Sequence, residues 1–349
     1  MVNLIARKAV LMAAAVSFLA GCSKSSSSYS LLSDAADYQQ QAILIPKKID
    51  VLWVIDNSGS MAPYQQDLAD NFQSFIQRFE TSNFDFHMAV TTTEAWQAAP
   101  NSEFGMGLTQ KAEFRPGLGV YVMDKYTSNL GGVFGAAVKQ GINGSGDERA
   151  FHSFRATLES SINNQHNFRR DDAFLAVIIV TDEEDYSRSS GSMDNPSNPG
   201  LHPVQDYVTF LRDYTQSTDT MKNYSVSAIY VPTRTNPGCT LHSAAQAGNR
   251  VGELATLTGG VKASLCSNFG QSLELISDSI IQLSAVFQLQ REPVESTITV
   301  KVNGVVVPKS LVNGWTYNAA DLTIHFHGDA IPSADANIQI DFYPKSIKL

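Results

Sequence analysis

The stretch VLWVIDNSGSM, residues 51–61, decides the fold of this 349-residue chain. Its apolar first half ends abruptly at Asp56, and two hydroxyls follow at alternate positions, Ser58 and Ser60. A continuous apolar run of this kind is typical of a strand buried on both faces of a parallel sheet. In open α/β sheets, ligands bind beyond the carboxyl ends of the strands. The stretch therefore predicts a site of one carboxylate and two hydroxyls, an oxygen set that favours Mg²⁺ or Mn²⁺ over zinc.

The spacing of these three residues also resembles a family motif. Asp-x-Ser-x-Ser after a first buried strand is similar to the metal-ion-dependent adhesion site of von Willebrand factor A domains. A second apolar run, AFLAVIIVT at residues 173–181, ends at Asp182. Thr181-Asp182 resembles the family's Thr-Asp-Gly turn, with Glu183 in place of the usual Gly. The resemblance implies that Asp182 is the second acidic ligand, and that the ion is Mg²⁺ or Mn²⁺, with Ca²⁺ as a further option.

The resemblance implies one more ligand, a hydroxyl shortly before the next helix. Aligning Gly144-Ser145-Gly146 with the family's glycine-rich region places Ser145 there, while Thr127 and Asp147 remain alternatives. In the adhesive members of the family, a carboxylate from a partner completes the coordination of the ion. The same role is expected here, with a protein or a surface glycan as the partner. The expected metal ligands are Asp56, Ser58, Ser60, Ser145 and Asp182.

The order of apolar segments predicts the architecture. Strands are expected at residues 47–55, 84–92, 173–181, 224–231 and 260–265, with a short antiparallel edge strand near residues 119–123. Helices are expected at residues 64–79, 147–162, 204–214, 244–258 and 269–287. This alternation predicts an α/β fold, a doubly wound, mostly parallel sheet with helices on both faces, over residues 47–290. Asn303-Gly304 between two β-branched runs is a hairpin signal, and residues 291–349 are expected to form a small all-β module.

The first residues predict export and a lipid anchor. Arg7 and Lys8 precede a short apolar run, as in a signal peptide covering residues 1–21. Leu19-Ala20-Gly21-Cys22 resembles the lipobox of bacterial lipoproteins, which implies that Cys22 carries the lipid. Ser23 after that cysteine favours the bacterial outer membrane. Residues 22–46 begin Ser-rich and are expected to form a flexible tether, with a short helix near residues 35–41.

The other two cysteines, Cys239 and Cys266, are expected to form a disulfide in an oxidising compartment. Two free buried thiols are the alternative. The oxidised pair would fit an exported, lipid-anchored protein.

The composition and motifs also limit the classes of function. A net charge of −9 argues against a phosphate-binding surface, so nucleic acid is not an expected partner. The sequence places no base beside Ser58, so an enzyme is not expected. The expected function is a membrane-anchored, cation-dependent, adhesin-like binding module, and the alternative is a periplasmic scaffold with a resident partner. The acids at residues 183–185 are expected to form a solvated loop, with a second, calcium-like site as the alternative.

Overall fold

The computed structural model describes residues 40–44, 48–81, 84–98, 107–193, 195–218, 221–235, 241, 245–333 and 336–345. The strands are β1 (Gln40–Leu44), β2 (Lys48–Ile55), β3 (Phe86–Thr92), β4 (Met123–Asp124), β5 (Ala173–Val180), β6 (Tyr224–Tyr230), β7 (Lys262–Ser264), β8 (Val286–Gln288), β9 (Thr299–Val302), β10 (Val305–Val307), β11 (Gly314–Asn318), β12 (Thr323–His327) and β13 (Ile338–Phe342). The α-helices are α1 (Ala62–Asp70), α2 (Phe72–Thr81), α3 (Leu130–Val138), α4 (Ala150–Glu159), α5 (Val204–Tyr214), α6 (Asn249–Thr258) and α7 (Phe269–Ser284).

A six-stranded sheet forms the centre of the molecule, in the order β4-β3-β2-β5-β6-β7. Strands β3, β2, β5, β6 and β7 run parallel, and the edge strand β4 pairs antiparallel with β3. The predicted α/β fold class and the antiparallel edge strand are confirmed. Strand β2 lies in the middle of this sheet, so the end of the opening stretch is at the centre of its carboxyl edge.

Alternate residues of β2 face two separate cores, as the two-fold repeat of a strand requires. Val51, Trp53 and Ile55 pack with α1, α2, α3 and α7 on one face of the sheet. Leu52 and Val54 pack with α4, α5 and α6 on the other face. The helices therefore cover both faces, which explains why β2 is apolar at every position between residues 51 and 55.

Three helical segments differ from the sequence-based expectation. The single helix expected at residues 64–79 is two helices, because Asn71 ends α1 and its side-chain amide donates to the Asp67 carbonyl at 2.8 Å. Helix α4 begins at Ala150, three residues later than expected, and this leaves Glu148 in the preceding loop. Helix α3 was not predicted, because its sequence LGGVFGAAV is rich in glycine, a poor helix former.

The C-terminal module consists of two small antiparallel sheets, β1-β13-β9-β10 and β11-β12-β8, which share one apolar core. The predicted hairpin is confirmed, with Val302 opposite Val305. Two findings correct the predicted limits of the module. Strand β1, within the predicted tether, pairs with β13, and β8 precedes residue 291. Backbone pairing between distant segments is not encoded in local sequence, so these two strands could not be assigned from it.

The predicted lipid and disulfide sites lie mainly outside the described residues. The signal peptide, Cys22 and Cys239 are all outside them, and the helix expected near residues 35–41 is largely so. Cys266 follows β7, and its backbone N–H donates to the Ser264 hydroxyl at 3.1 Å. Within the described ranges, none of the helices has the length and apolar composition needed to cross a bilayer.

Candidate metal centre

Two neighbouring parallel strands bring the acidic residues to one edge of the sheet. Strands β2 and β5 are paired with Ile55 opposite Val180, and Asp56 donates its backbone N–H to the Val180 carbonyl at 3.0 Å. The Thr181 hydroxyl donates to Asp56 Oδ2 at 2.7 Å. Asp56 and Asp182 therefore lie together at this edge, and each is 0% exposed.

The loop after β2 carries the two predicted hydroxyls to the same place. Asp56 Oδ1 accepts the backbone N–H of Ser58 at 2.8 Å, an Asx-type turn that folds the loop back over the strand end. The hydroxyls of Ser58 and Ser60 are 3.2 Å apart, and Ser60 donates to Asp182 Oδ1 at 2.9 Å. The structure thus joins four of the five predicted ligands in one hydrogen-bonded group.

Two contacts that the sequence did not reveal hold this loop in place. The side-chain amide of Gln65, in α1, donates to the carbonyls of Asp56 and Gly141, each at 2.9 Å. Gly144 donates its backbone N–H to the Asn57 carbonyl at 2.8 Å. A Cβ at Gly144 would lie 2.6 Å from that carbonyl oxygen, so only glycine allows this close approach. The 141–144 segment therefore packs directly on the metal-site loop.

The structure does not join Ser145 to the group. Its backbone N–H donates to Glu94 Oε1 at 2.7 Å, and its hydroxyl accepts the Asp147 N–H at 3.0 Å. Its role as the loop ligand stays a prediction, and the hydrogen bonds shown for it do not support that role.

The two alternatives to Ser145 also have other partners. The Thr127 hydroxyl donates to Asp124 Oδ1 at 3.0 Å. Asp147 forms ion pairs with Arg149 and Arg188, each at 2.7 Å. These contacts lead away from Asp56, so they give neither residue a place in the group instead of Ser145.

Glu148 is the site residue that the sequence reasoning missed. Its side chain is 2% exposed, and within the described part of the chain neither carboxylate oxygen has a hydrogen-bond partner. Burial raises the pKa of Glu148 well above its usual range, and the charges of Asp56, Glu183 and Asp182 raise it further. Glu148 therefore lies buried on the loop that packs on the candidate site through Gly144. The expected helix start at residue 147 concealed this role by placing Glu148 in a helical turn.

Three more buried polar oxygens lie near the same edge of the sheet. Asn57 Oδ1, Thr92 Oγ1 and Thr93 Oγ1 have no hydrogen-bond partner among the described residues. Buried oxygens of native proteins normally have such a partner or coordinate an ion or water. The excess of carboxylate, hydroxyl and amide oxygens fits a hard divalent cation.

The electrostatics of the site also favour a cation. Burial is the main cause that raises the pKa of Asp56 to about 6, and the charge of Asp182 adds to it, against the hydrogen bonds from Thr181 and Ser58. Each charged carboxylate is thus costly in this environment, and a bound cation would offset that cost. Across the described ranges, no three His, Cys, Asp or Glu side chains form a group that could hold a metal by themselves. An ion here would therefore need hydroxyl oxygens as well as carboxylates.

The expectation of a solvated acidic loop at residues 183–185 is wrong. Glu184 and Asp185 are buried, and they accept backbone N–H groups at the starts of two helices. Asp185 Oδ1 accepts from Phe151 in α4 at 2.9 Å, and Glu184 Oε1 accepts from Arg250 in α6 at 3.0 Å. Carboxylates at helix N-termini are stabilised by the helix dipole. These acids hold α4 and α6 against the edge of the sheet, beside the candidate metal centre.

Comparisons with known proteins add little beyond this geometry. No protein-family model and no curated protein matches the chain. Among solved structures, the chain is similar to proximal thread matrix protein 1 from the mussel byssus with a zinc-occupied MIDAS motif, at 12% identity and a TM-score of 0.38, over 72% of this chain and 52% of that chain. It is also similar to the pilus adhesin SpaC from Lactobacillus rhamnosus GG, at 12% identity and a TM-score of 0.36, over 85% of this chain and 39% of that one.

A third similar structure is the manganese-loaded TRAP protein of Plasmodium vivax, at 11% identity and a TM-score of 0.34, over 70% of this chain and 77% of that chain. The chain thus spans about half the length of the mussel protein and less of the pilus adhesin. Similarity at this level does not assign the chain to a family. The fold class rests instead on the strand order, and the candidate site rests on its hydrogen bonds.

Proposed function

We infer that this chain is a divalent-cation-dependent binding module whose ion lies between Asp56, Ser58, Ser60 and Asp182. One observation carries the proposal: these four side chains meet in one buried hydrogen-bonded group at the carboxyl edge of the parallel sheet. The ion would supply a Lewis-acidic contact for an oxygen ligand. Two carboxylates would neutralise its charge, and the two hydroxyls would add coordinating oxygens.

The partner would be a protein or a surface glycan that offers an oxygen ligand, with a carboxylate as the expected group. The backbone at Gly59, between the two serines, is exposed, and a Cβ placed there would meet no atom within 4 Å. A partner group therefore has room to approach the loop from this side. The proposal is a binding function and assigns no catalytic residue.

The proposal places the module at the bacterial outer membrane through a lipid on Cys22, with Cys239 and Cys266 joined as a disulfide. Anchoring predicts that the full chain partitions into detergent and that Cys22→Ser abolishes this partitioning. Partitioning that persists in Cys22→Ser would contradict the anchor without affecting the metal centre.

Thermal unfolding of the full chain tests the metal centre. A ligand that binds only the folded state stabilises it by about 2.7 kcal/mol at 100 times its Kd. We expect Mg²⁺ or Mn²⁺ to raise the unfolding temperature above its value in EDTA, and Asp56→Ala to abolish that rise. Asp67→Ala, at an exposed position of α1, is the matched control and should keep the rise. An unchanged unfolding temperature in Mg²⁺, Mn²⁺ and Ca²⁺ alike would contradict the proposal.

A further inference from the structure

Glu148 is a buried carboxylate without a partner, and such a group needs an explanation. Its side chain is 2% exposed, and in the described ranges neither of its oxygens accepts a hydrogen bond. Burying a carboxylate without a compensating group costs several kcal/mol or more. Packing alone does not explain a carboxylate at this position.

The backbone around Glu148 is fixed on both sides. Its carbonyl accepts the N–H of Tyr186 at 2.8 Å. The guanidinium of Arg149, the next residue, stacks 3.8 Å from the ring centre of Trp96. These contacts join the loop before α4 to the loop after β5 and to the segment after β3, so the position of Glu148 does not depend on its own side chain.

The surroundings of the Glu148 carboxylate are acidic. Asp56, Glu183 and Asp182 are the charges that act on it. The guanidinium groups of Arg149, the next residue, and of Arg188 are both paired with Asp147. The loop that carries Glu148 also packs on the metal-site loop, where the Gly144 N–H donates to the Asn57 carbonyl at 2.8 Å, so this buried carboxylate lies beside the candidate metal centre.

We propose that Glu148, and not Ser145, is the loop group that binds the cation, and that it does so only together with hydroxyl oxygens. The inference rests on the proposed function. Glu148 would join Asp56 and Asp182, and the hydroxyls of Ser58 and Ser60 would complete the protein ligands. Affinity for hard cations rises with the number of charged ligands. The centre should therefore hold its ion without help from a partner.

Calorimetric titration of the metal-free full chain with Mn²⁺ alone tests this assignment. Glu148→Gln keeps the size of the side chain and removes its charge, and we expect it to lower the affinity for Mn²⁺ at least about tenfold. Ser145→Ala is the matched control from the same loop and should change the affinity less than about threefold. In EDTA, Glu148→Gln should unfold at the same temperature as the wild type or higher, since it removes an uncompensated buried carboxylate.

The outcomes separate this inference from the function on which it rests. If the wild type binds no Mn²⁺, both are overturned. If the wild type binds and Asp56→Ala does not, while Glu148→Gln binds as the wild type does, only the assignment of Glu148 is overturned. A large loss in Ser145→Ala alone would return the role to Ser145. Should Glu148→Gln not fold, Glu148→Asp keeps the charge on a shorter side chain and is expected to weaken Mn²⁺ binding as well.

Discussion

Asp50 and Asp56 lie near opposite ends of the same strand, and both are 0% exposed. At the amino end, Asp50 accepts hydrogen bonds from Arg169 Nη1 at 3.0 Å and from Arg170 Nε at 2.9 Å. At the carboxyl end, Asp56 accepts hydrogen bonds from a hydroxyl and a backbone N–H, and its acidic neighbour is Asp182. The chain therefore neutralises one buried aspartate with its own cations and supplies only neutral donors to the other.

The pKa values reflect the same difference. Burial raises the pKa of Asp50 above its ordinary value, and the charges of Arg170 and Arg169 offset part of that rise. Burial also raises the pKa of Asp56, and there the nearby charge of Asp182 acts in the same direction. At the amino end of β2 the arginines balance the charge of the buried aspartate, whereas the carboxyl end has an excess of negative charge. An excess of this kind at a buried strand end points to an ion as the missing component.

Removing the cation at the amino end should produce the largest loss of stability. Arg170→Ala takes away the guanidinium that bonds Asp50 and Asp85. Breaking a buried ion pair from one side costs about 3–5 kcal/mol, and we expect a loss of that size in the free energy of unfolding measured with urea. Lys48→Ala is the control, because its pair with Asp172 is exposed and is expected to contribute less than about 1 kcal/mol. Equal effects of the two changes would contradict the role given to Asp50.

Neutralising the acid at the carboxyl end should have the opposite effect and raise the free energy of unfolding. The folded-state pKa of Asp56, about 6, is above its ordinary value of 3.8. The folded state thus binds the proton of Asp56 more tightly than the unfolded state does. The contribution of protonated Asp56 to the free energy of unfolding is therefore fully present below pH 3.8 and is lost as the pH rises through about 6. In EDTA near neutral pH, Asp56→Asn should therefore raise the free energy of unfolding by about 1–3 kcal/mol.

Urea unfolding in EDTA at about pH 4 and about pH 7.5 measures this effect. The gain in Asp56→Asn should be small at the lower pH and present at the higher one. With saturating Mg²⁺, the wild type should become the more stable protein, because the amide is a weaker ligand than the carboxylate. A loss of stability in Asp56→Asn at both pH values in EDTA would show that Asp56 is compensated within the protein.

The sequence predicted the part of the site that belongs to the parallel strands. The apolar runs of β2 and β5 identify both strands, and their shared direction places Asp56 and Asp182 at one edge. The Asp-x-Ser-x-Ser spacing then brings in Ser58 and Ser60. These features follow from strand period and direction alone, which local sequence encodes well.

The rest of the fold depends on contacts between distant segments. The glycine-rich helix α3 forms because Phe134 packs on Phe72 with ring centres 3.8 Å apart, and on Trp53 at 5.1 Å. Local propensity does not contain this packing energy. Glu148 was missed for a related reason: the later start of α4 depends on Asp185, which accepts the Phe151 N–H from across the sheet edge.

The smallest expected effect concerns an acid at the rim of the carboxyl edge that has a cation of its own. Glu94 accepts from Lys111 Nζ at 2.7 Å and from Asn57 Nδ2 at 3.3 Å. Burial raises the pKa of Glu94, but these hydrogen bonds outweigh burial, and its pKa lies below the usual range. Glu94 is thus paired with a cation, as Asp50 is, although it lies at the same end of the sheet as Asp56. The three acids therefore differ by the presence of a cationic partner and not by the end of the sheet at which they lie.

Lys111→Met should lower the free energy of unfolding by about 0.5–1 kcal/mol, since the lysine side chain is 35% exposed and solvent screens the pair. The pKa of Glu94 is lower in the folded state than in the unfolded state. The contribution of this ion pair to the free energy of unfolding is therefore present above the unfolded-state pKa of Glu94 and is lost as the pH falls through the folded-state pKa. A double-mutant cycle with Glu94→Gln at neutral and acidic pH measures it. A coupling that is the same at both pH values would mean that the two side chains interact through packing, and Glu94 would then belong with the uncompensated acids of the metal centre.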